Sequence, residues 1–210
     1  MDPATWTAFL AASTALLLIP GPTVLLVLAY ALAKGRRITV PTALGVATGD
    51  LIAMTASLAG LGVVVLTSAT VFTALKWIGA AYLIWLGIKM ILGAKSTSLD
   101  MPQAASDLSP RAAFLNAAAV TALNPKSIVF FIAFVPQFIT PEADFLPQAS
   151  ILIASFVTLA GLNALAYALL ADRLRETIKR PAIIRWLTRA GGGTLVAMGI
   201  ATATLRRAQP

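Results

Sequence analysis

Asp50 and Lys126 are the ionisable residues whose placement could do chemistry. Asp50 lies about ten residues into a long apolar stretch and is the only acidic residue deep within any such stretch. An ionised carboxylate at that depth costs at least ~2.5–3.5 kcal/mol on insertion scales, so it persists when paired, protonated or used. It can bind a substrate ammonium or a coupling proton, or it can form an ion pair with Lys126 that locks two spans together. Lys126 is the matching cation, in mid-span beside Pro125. It can serve as the counter-ion of Asp50 or hold a carboxylate, and from mid-helix its reach to the interface falls short.

Two backbone breaks accompany these charges. Pro20-Gly21-Pro22, followed by Thr23, interrupts an apolar run from about Trp6 to Ala33. Both prolines lack the N–H, and glycine weakens the helix further. Asn124-Pro125, followed by Lys126 and Ser127, interrupts a second run. Proline frees the carbonyl four residues earlier and biases Asn124 away from helical geometry. Polar backbone opened at membrane depth is tolerated only where protein or a water-filled cavity covers it, and transporters place binding sites at such breaks. Freed carbonyls suit a cation, and the N–H groups opening a half-helix suit an anion. A zwitterionic amino acid carries one of each, which points to an amino-acid-like substrate.

The elements that must position these groups are membrane helices. Of 210 residues, 59% are hydrophobic and 11% charged, too apolar for a soluble domain of this size. The chain has no cysteine and no histidine. Thiol chemistry is thereby excluded, and the commonest metal ligand and general base is missing. No metal or other cofactor is implied. The net charge of +8 sits in loops between apolar spans, so it reads as positive-inside bias rather than nucleic-acid binding.

Six spans are expected, at about Trp6–Ala33, Pro41–Leu66, Val71–Leu92, Ala112–Ile139, Pro147–Ala171 and Trp186–Leu205. The first is too long for a signal peptide and reads as a retained helix. Ser109-Pro110 reads as an N-cap and first-turn pair opening span four. Asp172–Trp186 reads as a short interfacial helix interrupted by Pro181. Links one, three and five carry twelve basic residues, whereas the termini and links two and four carry three. That balance puts the odd links in the cytoplasm and both termini outside it.

Spans one to three resemble spans four to six. Gly79-Ala80-Ala81-Tyr82-Leu83 with Gly87-Ile88 aligns with Gly191-Gly192-Gly193-Thr194-Leu195 with Gly199-Ile200. Pro20-Gly21-Pro22-Thr23 aligns with Asn124-Pro125-Lys126-Ser127, and Asp50 falls opposite Asn163. A three-span repeat must invert in the membrane, the plan of many secondary transporters. The expected architecture is an all-α integral membrane protein, a single membrane domain over 1–210. Repeat one covers 5–92, a cytoplasmic linker 93–111, and repeat two 112–206. Gly45, Gly49, Ala53 and Ser57 make one smooth face, with Gly45 and Gly49 forming a GxxxG packing pair. Such faces suit packing within one chain or between copies as a homo-oligomer. Phe130, Phe134 and Phe138 lie four apart on one stripe, read as core or lipid contact. Trp77, Tyr82 and Trp85 read as interface and packing residues.

With these residues laid out, the chain resembles the lysine exporter (LysE) superfamily, in its RhtB branch of amino-acid efflux proteins. The resemblance rests on Pro20-Gly21-Pro22, Gly45-xxx-Gly49-Asp50, Gly79-Ala80-Ala81-Tyr82-Leu83-Ile84-Trp85-Leu86-Gly87, Asn124-Pro125-Lys126 and Phe134-Val135-Pro136-Gln137-Phe138, in that order along essentially the whole chain. It implies proton-driven export of amino acids such as homoserine, threonine or leucine across a bacterial inner membrane. The superfamily's thiol-disulfide electron carriers need paired cysteines that this chain lacks.

The mechanism expected is that Pro20, Gly21, Pro22, Thr23, Asn124, Pro125, Lys126 and Ser127 hold the substrate's backbone groups while Asp50 exchanges a proton for its ammonium. Partners are then the substrate, protons and the lipid bilayer. Rival readings are an exporter of another small zwitterionic or cationic solute, a membrane-embedded enzyme, and a non-transporting subunit. The enzyme would have only Asp50, Lys126, Ser127 and Thr23 to work with, and adjacent Lys126 and Ser127 do not face each other on a helix. The expected catalytic set is empty.

Overall fold

The computed structural model describes residues 1–34, 36–67, 69–94, 108–140, 143–178 and 181–204. The helices are α1 Pro3–Leu18, α2 Pro22–Lys34, α3 Arg36–Thr67, α4 Ala69–Gly93, α5 Pro110–Ala122, α6 Pro125–Val129, α7 Phe145–Ile178 and α8 Pro181–Thr204. No strand occurs among the described residues. The linker expected at 93–111 lies mostly outside them.

Both expected breaks are present. Ile19 leaves the helical region at ψ 119°, and its N–H reaches back only to Leu16 O. Leu25 N–H then donates to Gly21 O at 2.9 Å and starts α2, with Pro22 in its first turn. The axes of α1 and α2 differ by 58°. At the second break Asn124 is extended, and its side-chain Oδ1 accepts from Lys126 N–H at 3.1 Å. Pro125 opens α6, where a missing N–H does no harm. The bend there is 43°. The two breaks match with Pro22 over Pro125 and Gly21 over Asn124, one residue away from the alignment of Pro20 with Asn124. The first proline of the Pro-Gly-Pro triplet is an extra residue in the break, and the second is the helix starter.

Among the described residues, three helical stretches are long and apolar enough to cross a membrane singly, Arg37–Gly60, Thr73–Gly93 and Phe145–Ala171, and the two bent pairs raise the number to five. The sixth expected span corresponds to α8, which does not meet the same measure; Arg185 and Arg189 fall in its first turns. Asp172–Trp186 is no separate interfacial helix: α7 continues to Ile178 and Pro181 opens α8. Ser109 caps α5 as expected, its Oγ accepting from Ala112 N–H at 3.2 Å.

Small residues bring helix backbones together. A Cβ on Gly49 would stand 2.6 Å from Ala118 O, and one on Gly45 would collide with Phe114 O. The smooth face of α3 therefore packs on α5, and Asp50, one residue along, turns toward the breaks. Between α4 and α8, a Cβ on Gly87 would stand 2.5 Å from Gly192 O, and one on Gly199 2.8 Å from Ala80 O. Trp77 and Trp85 are exposed on the outer face of α4.

The phenylalanine stripe departs from a regular helix. Val135 N–H bonds Phe130 O five residues back, a π turn over Phe130–Phe134, and a 3₁₀ turn follows over Val135–Phe138. Pro136 has no N–H to donate, so the regular ladder cannot continue through it. Phe130 and Phe131 are fully buried, and Phe131 meets Phe156 of α7 edge-on at 4.8 Å. Phe138 meets Phe9 of α1 at 5.4 Å. These rings form core.

Candidate functional site at the meeting of two broken helices

Helix α1 ends with carbonyls that lack their regular helical donors, and among them Leu16 O keeps a backbone bond from Ile19 N–H at 3.2 Å. Pro20 cannot supply the i+4 N–H to Leu16 O, and Pro22 cannot supply it to Leu18 O. Side chains from the second half of the chain close this end. Lys126 Nζ donates to Leu16 O at 3.2 Å and to Ile19 O at 3.1 Å. Asn163 Nδ2 donates to Leu17 O at 3.2 Å, and Tyr167 O–H to Leu18 O at 3.3 Å. Four consecutive carbonyls are thus each met by a polar side chain. The negative end of the helix dipole and a buried ammonium stabilise each other there.

The second break is tied to the first by Thr23. Its Oγ1 accepts from Asn124 Nδ2 at 3.2 Å and lies 3.3 Å from the Thr121 hydroxyl. Asn124 therefore works twice: its oxygen caps α6 and its nitrogen reaches α2. Ser127 is buried beside it.

Asp50 is 2% exposed and Lys126 8% exposed. The Oδ1 atom of Asp50 is buried with no hydrogen-bond partner. Lys126 directs its ammonium to the α1 carbonyls instead, and the two form no ion pair within 4.0 Å. The direct Asp50–Lys126 pair weighed from sequence is absent, because the open end of α1 competes for the same ammonium. A buried carboxylate oxygen without a donor is expensive, so its persistence asks for a partner that arrives.

Two cavities meet at this point. The inner one, about 30 Å³, is lined by Asp50, Thr23, Asn163 and Tyr167, together with Asn124, Lys126 and Ser127. It has room for about two waters, not for an amino acid. The outer one, about 320 Å³, is lined by Pro20, Gly21, Pro22 and Pro125, with Lys89, Thr188 and the apolar Leu25, Leu86 and Met90. Asn124 and Lys126 line both, so they form the wall between them. The nine residues singled out from sequence are thus divided between the chambers, with two shared. Among the described residues no group of three or more acidic, His or Cys side chains could hold a metal.

Asn163 and Tyr167 were not singled out as site residues. They lie four apart on α7, a spacing that puts two polar side chains on one face of an otherwise apolar helix. That pattern was visible; what it caps was not.

A family model described as LysE type translocator matches residues 14–206. A homoserine/homoserine lactone efflux protein of Salmonella typhimurium is 36% identical over 203 residues, 97% of this chain and 98% of that protein. An uncharacterized membrane protein of Vibrio cholerae is 34% identical over 211 residues, 98% of this chain and 100% of that protein. A leucine efflux protein of Klebsiella pneumoniae is 32% identical over 136 residues, 64% of this chain and 63% of that protein. No solved structure matches the chain. A match that starts within α1, runs through both breaks and passes the end of α8 assigns the chain to a family: it belongs to the LysE-type translocators.

Proposed function

We propose that this translocator exports amino acids of the homoserine, threonine and leucine class from the cytoplasm, by proton antiport across a bacterial inner membrane. The observation that carries this reading is Asp50, a buried carboxylate with an unpartnered oxygen, facing the junction of two broken helices beside a buried ammonium. Efflux of homoserine, homoserine lactone and leucine by relatives of 32–36% identity supports the substrate class.

In this mechanism the substrate's ammonium goes to ionised Asp50 and its carboxylate to Lys126 and the polar groups around Asn124. A proton arriving from outside neutralises Asp50, removes the attraction for the ammonium and releases the substrate outward. Deprotonation toward the cytoplasm resets the site. The halves 5–92 and 112–206 act as inverted repeats that rock about it. The matched breaks support that plan, as do the paired close approaches of Gly87 to Gly192 and Gly199 to Ala80. The charge balance supports cytoplasmic odd links and periplasmic termini. It also turns the outer cavity, which reaches Lys89 and Gly93 near link three, toward the cytoplasm.

The test is uptake of a panel of radiolabelled amino acids into everted membrane vesicles, with and without a proton gradient. Accumulation of threonine, homoserine or leucine that collapses with the gradient is expected. Gradient-independent or absent uptake of every amino acid would send the function to another small zwitterionic or cationic solute.

A further inference from the structure

The ammonium of Lys126 is placed as a ligand would be. It sits 8% exposed at the carbonyl end of α1, on Leu16 O and Ile19 O, rather than on the nearby carboxylate. Its neighbours Leu17 O and Leu18 O are served by Asn163 and Tyr167, so the ammonium takes Ile19 O and the second lone pair of Leu16 O, whose first goes to Ile19 N–H. The stem of Lys126 runs against Gly21, whose Cβ, if present, would lie 3.5 Å from Nζ. The same side chain separates a cavity of about 320 Å³ from one of about 30 Å³.

The geometry points to a primary-ammonium subsite at Leu16 O and Ile19 O, which Lys126 occupies as a tethered surrogate and which a substrate ammonium must take over for the two cavities to join. The identity of that incoming ion as a substrate rests on the export reading above; the subsite itself does not. The exchange is balanced in charge, one ammonium leaving the carbonyls as another arrives. A free amino acid also provides for the displaced lysine, because its carboxylate meets Lys126 as its ammonium replaces it. An N-acylated amino acid has no ammonium to offer and leaves the wall closed. Asp50 then lies beyond the wall and is reached only after the exchange. Substrate access and the proton-carrying carboxylate are thereby linked through one side chain.

The experiment uses the purified full chain in detergent and its Lys126→Ala variant. The variant retains Leu16 O and Ile19 O without the ammonium, Leu16 O keeping only the Ile19 N–H, and the cavity left by the stem opens to the larger chamber. Ethylammonium chloride is expected to raise the unfolding temperature of Lys126→Ala by roughly 2–4 °C in a saturable way. The native chain, whose subsite is already filled, should shift less. Tetramethylammonium chloride, which has no N–H, and sodium chloride at the same ionic strength should not produce the shift. Equal effects of all three salts, or none of any, would overturn the subsite. If Lys126→Ala does not accumulate, cells expressing it are grown with ethylammonium or tetramethylammonium. Recovery of membrane-inserted protein with the first alone supports the subsite, and no difference between them overturns it. No arm depends on transport, so failure of the subsite and failure of the export reading are separable.

Discussion

At the first break, Pro20 and Pro22 release the carbonyls of Leu16 and Leu18, and side chains of α6 and α7 close them from outside. At the second, Asn124 closes its own helix start through Oδ1 and spends its nitrogen on Thr23. One break is a set of acceptors completed by distant donors; the other is self-capped and lends out a cation. At the second break the carbonyl end of α5 is closed by backbone, Leu123 N–H on Ala119 O and Asn124 N–H on Thr121 O, so the contrast lies between the carbonyl end of α1 and the N–H end of α6. An open carbonyl end needs N–H or ammonium donors, which a short loop cannot supply from its own side chains when it reads Ile-Pro-Gly. An open N–H end is satisfied by a single asparagine at the N-cap. The consequence is that α1 depends on the second half of the chain for its integrity, whereas α6 depends on the first half mainly through Thr23.

That asymmetry can be broken residue by residue. The largest effect is expected for Lys126→Ala, which removes two charge-assisted hydrogen bonds from the end of α1 at about 1.5–3 kcal/mol each. Thermal unfolding in detergent should show the loss, and gradient-driven uptake should fall to background. Asn163→Leu removes one donor from the same end and should destabilise by about 1–3 kcal/mol, read in the same unfolding assay. If the two ends were equivalent, Asn124→Ala would match Lys126→Ala. A cap loss of about 0.5–2 kcal/mol is expected instead, with hydrogen exchange quickened in α6 and not in α1. The smallest change is Tyr167→Phe, which deletes a 3.3 Å bond and should cost about 0.5–1.5 kcal/mol with near-native protein levels. A double change of Asn163 and Tyr167 that exceeds the sum of the single ones would sharpen the view of α1's end as one coupled cap.

Much of this arrangement was legible in the sequence. Prolines inside long apolar runs locate both breaks, since their chemistry forbids a continuous ladder. Asp50 and Lys126 stand out because charge at that depth has few bland explanations. Gly45 and Gly49 announce a close helix contact, which proves to be with α5. Other features depend on distance in the fold. That Lys126 chooses Leu16 O and Ile19 O over Asp50 follows from a contact 107–110 residues apart in the chain, invisible to local pattern. Asn163 and Tyr167 matter for the same reason, through partners 146–149 residues away. The one-residue shift between the two breaks arises because either proline of Pro20-Gly21-Pro22 could open a helix, and α2 starts at Pro22. The π turn at Phe130–Phe134 is equally hidden, since four-residue spacing suggests an ordinary helix until Pro136 and the packing of Phe131 on Phe156 are considered together. The weak apolar length of α8 shows the limit of span counting, for that helix nonetheless approaches α4 closely at Gly192 and Gly199.

The central claim is that Asp50 carries the coupling proton. Its most direct test is Asp50→Asn in everted vesicles, at matched protein levels, comparing exchange of labelled for unlabelled substrate with uptake driven by a proton gradient. The account predicts that the gradient no longer drives accumulation, while any exchange that survives is indifferent to the gradient. Gradient-driven accumulation at the native level in Asp50→Asn would contradict it and would move the proton to another group.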